Sequence, residues 1–109
     1  MSGSTSAYWL LGAAIGAELL GTSALKLSVG MTRVGPAAIV VLAYATSFWL
    51  LSMSLKSLPV GFAYAVWAGT GVVAMKLIGI GVFDESLSLM SVAGIALVAA
   101  GVILLHLGE

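Results

Sequence analysis

The sequence predicts an all-α membrane protein with four transmembrane helices, on the basis of its hydrophobicity, its few charges and its uninterrupted apolar runs. Of its 109 residues, 61% are hydrophobic and 7% are charged, and the mean hydropathy is +1.21. A soluble domain is about 45–50% apolar and about 25% charged, so this chain cannot build a water-facing surface. Runs such as residues 92–98 are continuously apolar, whereas a membrane β-barrel needs alternating apolar and polar positions.

Charge and motif content exclude several functions. Four basic and four acidic residues give a net charge of zero, so the chain lacks the basic face that nucleic-acid binding needs. It has no cysteine for disulfides, zinc sites or thiol chemistry, and no glycine-rich phosphate loop followed by lysine. We therefore expect a lipid bilayer around the chain, and no enzyme activity, cofactor, metal or nucleic-acid partner.

The first two spans are bounded by glycine, serine and proline. Crossing a hydrocarbon core of about 30 Å takes about 20 helical residues. Residues 1–6 are rich in serine and are predicted to form a disordered tail. The first span then covers residues 7–27 and ends at the turn 28–30. The second covers residues 36–55 and begins with Pro36, whose missing N–H costs nothing in a first helical turn.

The last two spans are bounded by proline and acidic residues. The third covers residues 59–83, from Pro59 to the residue before Asp84, and the fourth covers residues 87–107. Only a few residues connect one span to the next, so sequential helices are expected to be antiparallel neighbours. This arrangement leaves no room for a domain outside the membrane.

The orientation of the spans is weakly specified. Lys26 and Arg33 lie at helix ends on one side of the predicted membrane, and Lys56 lies on the other. Orientation follows the asymmetry of lysine and arginine between the two sides. A bias of two against one leaves open whether a single orientation is adopted or the chain inserts both ways.

Glu18 is the most informative residue in the sequence. It lies eleven residues after Ala7, or about 17 Å along a helix, and therefore near the bilayer midplane. A charge at that depth costs at least about 2.5–3.5 kcal/mol, and intramembrane acids usually mark ion or substrate paths. The alternative is a protonated side chain that only bonds a neighbouring helix. Ala14, Gly21 and Thr22 share the face of Glu18 and are small, so they either let another helix approach closely or leave room for a ligand. We expect them to line a pocket.

Aromatic residues of the third span complement the acid. Tyr64 and Trp67 are three residues apart and share a helix face. Tyr64 offers a hydroxyl, and a desolvated cation over the ring of Trp67 gains about 2 kcal/mol or more. The alternative is that they anchor the helix at the membrane interface, but Trp67 is deeper than such anchors prefer. In the second span, Tyr44 and Ser47 form another mixed face, for which ordinary packing is an almost equal alternative.

Glycines mark a hinge and a helix contact. Gly69 and Gly71 lie in the middle of the third span, where each loosens the helix by about 1 kcal/mol relative to alanine. A bend or hinge is predicted there. In the fourth span, Gly94 and Gly101 are seven residues apart and face the same way, which predicts a helix-contact surface. Four helices with one acid are too small to enclose a path for a bulky ligand, so we expect an oligomer that brings two Glu18 residues together.

From Ala7 to Gly108 the chain resembles the small multidrug resistance transporters. Each matching piece is weak alone, but their order and spacing in a chain of this length are specific. The pieces are Ala17-Glu18 with Gly21-Thr22 and Lys26, Thr32-Arg33 with Pro36, Tyr44 with Ser47-Phe48-Trp49, Leu58-Pro59, residues 63–71, and Gly94 to Gly101-Val102.

The resemblance implies an antiparallel, dual-topology homodimer that exchanges protons for cationic substrates across a bacterial inner membrane. It implies that Glu18 is the shared site for proton and substrate, that Tyr64 and Trp67 line the pocket, and that Tyr44 and Ser47 support them. Gly69 and Gly71 in the third span match the family's hinge, and Gly94 and Gly101 in the fourth span match its dimer contact.

Two positions bear on the subtype. Family members that export guanidinium typically carry tryptophan three residues after the glutamate, where this chain has Gly21, as the quaternary-ammonium exporters do. We therefore expect hydrophobic quaternary ammonium and other lipophilic cations, with guanidinium or polyamine-like cations as the alternative. Lys76 departs from the family's third span. An ideal helix places it about 180° from Trp67, facing away from the pocket. We expect Lys76 to snorkel partly toward the membrane surface; the alternatives are that it pairs with an acid of a partner, in a homomeric or heteromeric assembly, or serves an altered substrate.

Two other classes compete with a transporter. A rotor-ring subunit of a rotary ATPase also carries a midplane carboxylate, but with two spans for each acid and no use for Tyr64 and Trp67. An accessory subunit would only pack against another membrane protein. Cation-driven proton release separates both from a proton-coupled exporter.

Overall fold

The computed structural model describes residues 3–108 and consists of four helices. They are α1 (Gly3–Leu27), α2 (Val34–Ser54), α3 (Val60–Val82) and α4 (Leu89–Leu107). Each is long and apolar enough to cross a membrane, and no strand occurs within the described residues. The predicted all-α membrane fold with four spans is confirmed.

The ends of the helices differ from the prediction by a few residues. Helix α1 begins at Gly3, so residues 3–6 are helical and do not belong to a disordered tail. No proline interrupts this stretch, and extending an existing helix adds one hydrogen bond for each residue fixed. The predicted tail otherwise falls on residues 1–2, and the predicted domain ends at residue 109; these three lie outside the described residues.

Capping explains the start of α4. Ser88 has extended backbone angles, and its side chain accepts a hydrogen bond from the N–H of Ser91 at 3.0 Å. A serine in this role satisfies one of the free N–H groups of the first turn. The helix therefore begins at Leu89 and not at the predicted Leu87.

The chain divides into two compact units, one ending at Pro59 and the other beginning at Val60. In the first unit, α1 packs on α2 through small and aliphatic side chains. Its buried residues include Ala7, Leu11, Ala14, Val40 and Ala43. Alanine at this contact lets two helices approach closely, which favours packing in a membrane.

A tight left-handed turn connects α1 to α2. Val29, Gly30 and Met31 all have positive φ angles, of 49°, 68° and 66°. Glycine adopts such angles freely, whereas valine and methionine do so at some cost. Ser28 holds the turn: its buried hydroxyl donates to the carbonyl of Leu25 at 2.7 Å and accepts the N–H of Met31 at 2.9 Å.

In the second unit, α3 packs on α4 at Gly69. A Cβ atom at that position would lie 2.6 Å from Cγ2 of Val102, so the two helices approach as closely as glycine allows. None of the described residues of α4 is buried, so most of its surface is open to lipid or to a partner. Where the chain leaves α3, the N–H of Glu85 bonds the carbonyl of Gly79 at 2.9 Å.

Candidate functional site

A chain of three hydrogen-bonding side chains connects α1 to α2. Glu18 is half-buried on α1, and the hydroxyl of Thr22, one turn further along, donates to its Oε1 at 2.7 Å. The hydroxyl of Tyr44, on α2, lies 2.7 Å from the same Thr22 oxygen. Residues four apart are neighbours on a helix surface, which places Thr22 beside the acid. The structure thus brings the predicted Glu18, Thr22 and Tyr44 together.

Gly21 makes room for the ring of Tyr44. A Cβ atom at Gly21 would lie 2.6 Å from Cδ1 and 2.7 Å from Cε1 of Tyr44, distances that real side chains do not tolerate. The aromatic ring therefore lies directly on the backbone of α1. This contact brings the Tyr44 hydroxyl within reach of Thr22.

Ser47 holds the two helices together beneath the acid. Its hydroxyl is buried and donates to the carbonyl oxygen of Ala14 at 2.6 Å. In an α-helix, that carbonyl also accepts the N–H of the residue four positions later, here Glu18. Ser47 was predicted to belong to the proton and substrate site as a support for Tyr64 and Trp67. In the structure it bonds the backbone turn that carries Glu18, not the carboxylate.

The predicted aromatic pair lies on one face of α3. The rings of Tyr64 and Trp67 are edge to face, with centroids 5.5 Å apart and an angle of 64° between their planes. Tyr64 is exposed and Trp67 is half-buried. Edge-to-face packing stabilises the pair, and the exposed ring of Tyr64 offers π-surface of the kind that a cation contacts.

The glycines of α3 and α4 have different surroundings. Helix α3 continues without interruption through Gly69 and Gly71, and Gly69 serves as a contact with α4, so the hinge stays a prediction. A Cβ atom at Gly94 or Gly101 would meet nothing within 4 Å. At these two positions of the predicted dimer surface, no described atom of the chain occupies the space where a side chain would begin.

Lys76 is half-buried in a groove of about 320 Å³ between α3 and α4. It faces the N-terminal half of α4. The other lining residues are Val72, Ser91, Gly94, Ile95 and Val98. Because Gly94 belongs to the predicted dimer surface, Lys76 lies next to that surface.

The sequence predicted the polar residues of the site but not their hydrogen-bond partners. The contact of Gly21 with Tyr44 and the bond from Ser47 to Ala14 both depend on how α1 and α2 align, which a helix periodicity does not give. The spacing of Tyr44 and Ser47, three residues apart on one face of α2, is the signal that relates them. Within residues 3–108, no cluster of His, Asp or Glu has the arrangement to hold a metal ion.

Together, fold and site define a small multi-pass membrane protein with one acidic residue inside its four described helices. Residues 6–98 match the family described as Small Multidrug Resistance protein. The chain belongs to this family.

Curated relatives from several bacteria are similar over most of the chain. The multidrug transporter EmrE of Escherichia coli is 42% identical over 100 residues, covering 92% of this chain and 91% of that protein. The quaternary ammonium compound-resistance protein QacE of E. coli is 44% identical over 100 residues, with 91% of each chain covered. The multidrug resistance protein EbrB of Bacillus licheniformis is 46% identical over 96 residues, covering 88% of this chain and 81% of that protein. The four apolar helices and these bacterial relatives place the chain in the inner (cell) membrane.

Proposed function

We propose that this protein is a proton-coupled antiporter that exports hydrophobic quaternary ammonium and other lipophilic cations. The observation that carries the proposal is the half-buried carboxylate of Glu18 inside a membrane-spanning helix, hydrogen-bonded by Thr22. Intramembrane acids are costly and typically serve ion or substrate paths. The names of EmrE and QacE, a multidrug transporter and a quaternary ammonium resistance protein, support the same class of substrate.

Competition for Glu18 couples the two fluxes. A carboxylate in a low-dielectric site needs a proton or another cation to balance its charge. The protein therefore binds either a proton or a substrate, and the neutralised form changes the side on which the site is open. The proton gradient then gives the exchange its direction.

Aromatic side chains hold the organic part of the substrate. A quaternary ammonium has no N–H to donate, so it is bound by charge and by contact with apolar and aromatic surface. Tyr64 and Trp67, with centroids 5.5 Å apart, provide such a surface on α3. A cation over an aromatic face gains about 2 kcal/mol or more when it is desolvated.

An antiparallel homodimer completes the transporter. Gly94 and Gly101 form a strip on α4 at which a Cβ atom would meet nothing within 4 Å, and small residues of this kind support close helix contacts in membranes. Identical chains in opposite orientations have two facing states of nearly equal energy, related by exchanging the conformations of the two protomers. Gly69 and Gly71 are the proposed hinge. A heteromeric pair with a second family member is the alternative assembly.

The surroundings of Gly21 favour quaternary ammonium over guanidinium. The tryptophan of guanidinium exporters would have to occupy the place of the Tyr44 ring, because even a Cβ atom at Gly21 would lie 2.6 Å from Cδ1 of Tyr44. The site next to Glu18 is therefore built around Tyr44. This geometry supports the assignment to the quaternary-ammonium branch.

Proton release tests the proposal. Adding tetraphenylphosphonium to the detergent-solubilised protein in weak buffer is expected to release protons from the wild type and from Asp84→Asn, and none from Glu18→Gln. Asp84 makes a matched control because it is an exposed acid outside the helices, in a left-handed conformation that asparagine tolerates. Proton release from Glu18→Gln would refute the site, and absence of release from the wild type would favour an accessory or rotor subunit. A larger response to guanidinium than to tetraphenylphosphonium would refute the proposed substrate class.

A further inference from the structure

We propose that Thr22 is a positioning residue through which the charge on Glu18 sets the direction of the Tyr44 hydroxyl. The inference rests on the proposed function, because it requires that Glu18 exchanges a proton during transport. It concerns three side chains that are hydrogen-bonded in series: the Thr22 hydroxyl oxygen lies 2.7 Å from Oε1 of Glu18 and 2.7 Å from the Tyr44 hydroxyl oxygen.

When Glu18 is ionised, the hydroxyl protons of Thr22 and Tyr44 determine which group donates in each hydrogen bond of the series Tyr44–Thr22–Glu18. A carboxylate only accepts hydrogen bonds, and a threonine hydroxyl has one proton to donate and two lone pairs to accept with. The proton of Thr22 is directed to Oε1 of Glu18. The bond between Thr22 and Tyr44 must then use the proton of Tyr44, so all donors point toward the acid.

Protonation of Glu18 on Oε1 reverses the direction of donation in these hydrogen bonds. One proton is added and forms one O–H bond, and no other covalent bond changes. Oε1 then donates to Thr22, which leaves Thr22 free to turn its own proton to the oxygen of Tyr44. In the reversed arrangement that we propose, Thr22 donates to Tyr44 and the Tyr44 proton points away from Thr22. The Tyr44 hydroxyl therefore differs in orientation between the proton-loaded and the ionised protein.

The packing around the chain allows hydroxyl rotation without helix movement. The Tyr44 ring lies directly on Gly21, and Ser47 bonds the carbonyl of Ala14 at 2.6 Å, so α1 and α2 are fixed on both sides of Glu18. Tyr44 is the titratable side chain of α2 in this chain of bonds. The other charged groups of the same unit, Lys26, Arg33 and Lys56, lie at helix ends or in loops.

The pH dependence of tetraphenylphosphonium binding tests this inference in the solubilised full-length protein. Thr22→Val keeps the shape of the side chain and removes the donor to the carboxylate, which disfavours the ionised form. We expect the pH midpoint of binding to rise by about one pH unit, equivalent to about a tenfold change in proton affinity. Thr22→Ser retains the hydroxyl and is expected to restore the wild-type midpoint.

Tyr44→Phe tests whether the Tyr44–Thr22 and Thr22–Glu18 hydrogen bonds act together as a relay or as two independent contacts. Because Tyr44 acts through Thr22, its loss is expected to shift the midpoint upward by less than Thr22→Val does. The double variant is expected to match Thr22→Val alone, since residues in one network are not additive. Additive shifts, or an unchanged midpoint in Thr22→Val, would overturn the relay.

The Cζ carbon of Tyr44, labelled with ¹³C-tyrosine, reports the hydroxyl directly. The protein has three tyrosines, so Tyr44→Phe assigns the signal. The Tyr44 signal is expected to change with the same midpoint as cation binding in the wild type, and to become insensitive in Glu18→Gln and Thr22→Val. If the Tyr44 signal in Thr22→Val still changes with pH as it does in the wild type, the inference is refuted. Proton release by the wild type, and with it the proposed function, would be unaffected by that result.

Discussion

At the scale of single residues, Gly21 determines where the Tyr44 ring lies. The closest atoms of that ring would be 2.6 Å and 2.7 Å from a Cβ atom at this position, and Cβ of Ala43 would be 3.3 Å away. A methyl group therefore has no free volume on that side of α1. The ring would have to move, and its hydroxyl would move with it.

We predict that Gly21→Ala weakens cation binding and destabilises the protein, although alanine is the better helix former. Forcing one methyl group into a packed contact typically costs about 1–3 kcal/mol. Gly16→Ala on the same helix is the matched control, because its Cβ atom meets nothing within 4 Å and should gain up to about 1 kcal/mol from helix propensity. Unfolding of the detergent-solubilised protein and tetraphenylphosphonium titration measure both effects. Equal behaviour of the two variants would contradict the role of Gly21.

Glu18 was predictable from the sequence, and its partners were predictable only in part. Depth in the first span identifies the acid, and four-residue spacing places Thr22 beside it. The bond from Thr22 to Tyr44 joins residues 22 positions apart, and it depends on the rotation and offset of α2 against α1. Helical periodicity fixes which residues share a face, but it does not fix this alignment. The same reason explains why the bond from the Ser47 hydroxyl to the carbonyl oxygen of Ala14 was not predicted.

At the scale of helices, the approach of α3 to α4 depends on the absence of a side chain at Gly69. A Cβ atom there would lie 2.6 Å from Cγ2 of Val102 and 3.4 Å from Cγ1 of Val98. The sequence predicted a hinge at this glycine, and the structure assigns it a packing contact as well. Both roles need glycine, one for its flexibility and one for its size.

We predict that Gly69→Ala destabilises the packing of α3 on α4 and that Val102→Ala partly restores it. Removing the valine methyl groups opens the space that the new methyl group needs, so the double variant should be more stable than the sum of the single changes suggests. Gly81→Ala on the same helix is the control, since its Cβ atom meets nothing within 4 Å. Unfolding midpoints in detergent measure the coupling. Strictly additive effects on the unfolding midpoint would show that Val102 is not what prevents a larger residue at position 69.

The existence of the helices was predictable, but their exact ends were not. Long apolar runs predict membrane spans because a bilayer core demands about 20 residues of helix. The ends depend on local bonds. Ser88 caps α4, which therefore begins at Leu89, two residues after the predicted start, and α1 extends back to Gly3 because no proline interrupts it. Turn 28–33, with its three consecutive left-handed residues, contains only one glycine among them and so gives little warning in the sequence.

At the scale of the whole molecule, α4 is the helix most open to a partner. None of its described residues is buried, and Gly94 and Gly101 have empty space where a Cβ atom would point. The seven-residue spacing of Gly94 and Gly101 predicted a contact surface of small residues, and the structure leaves both positions uncovered. The half-buried Lys76 borders it through the groove that includes Gly94.

We predict that Gly94→Leu abolishes the dimer and with it cation binding, while each chain keeps its helices. A leucine at this position fills the space that a second chain needs for close approach, but it meets no described atom of its own chain within 4 Å of the Cβ position. Ala96→Leu is the control, because Ala96 is exposed and lies about 200° around the helix from Gly94. Crosslinking and circular dichroism in detergent measure assembly and helix content, and tetraphenylphosphonium titration measures binding. A Gly94→Leu protein that still forms dimers would move the contact to another face. A monomeric protein that still binds the cation would show that one Glu18 is enough.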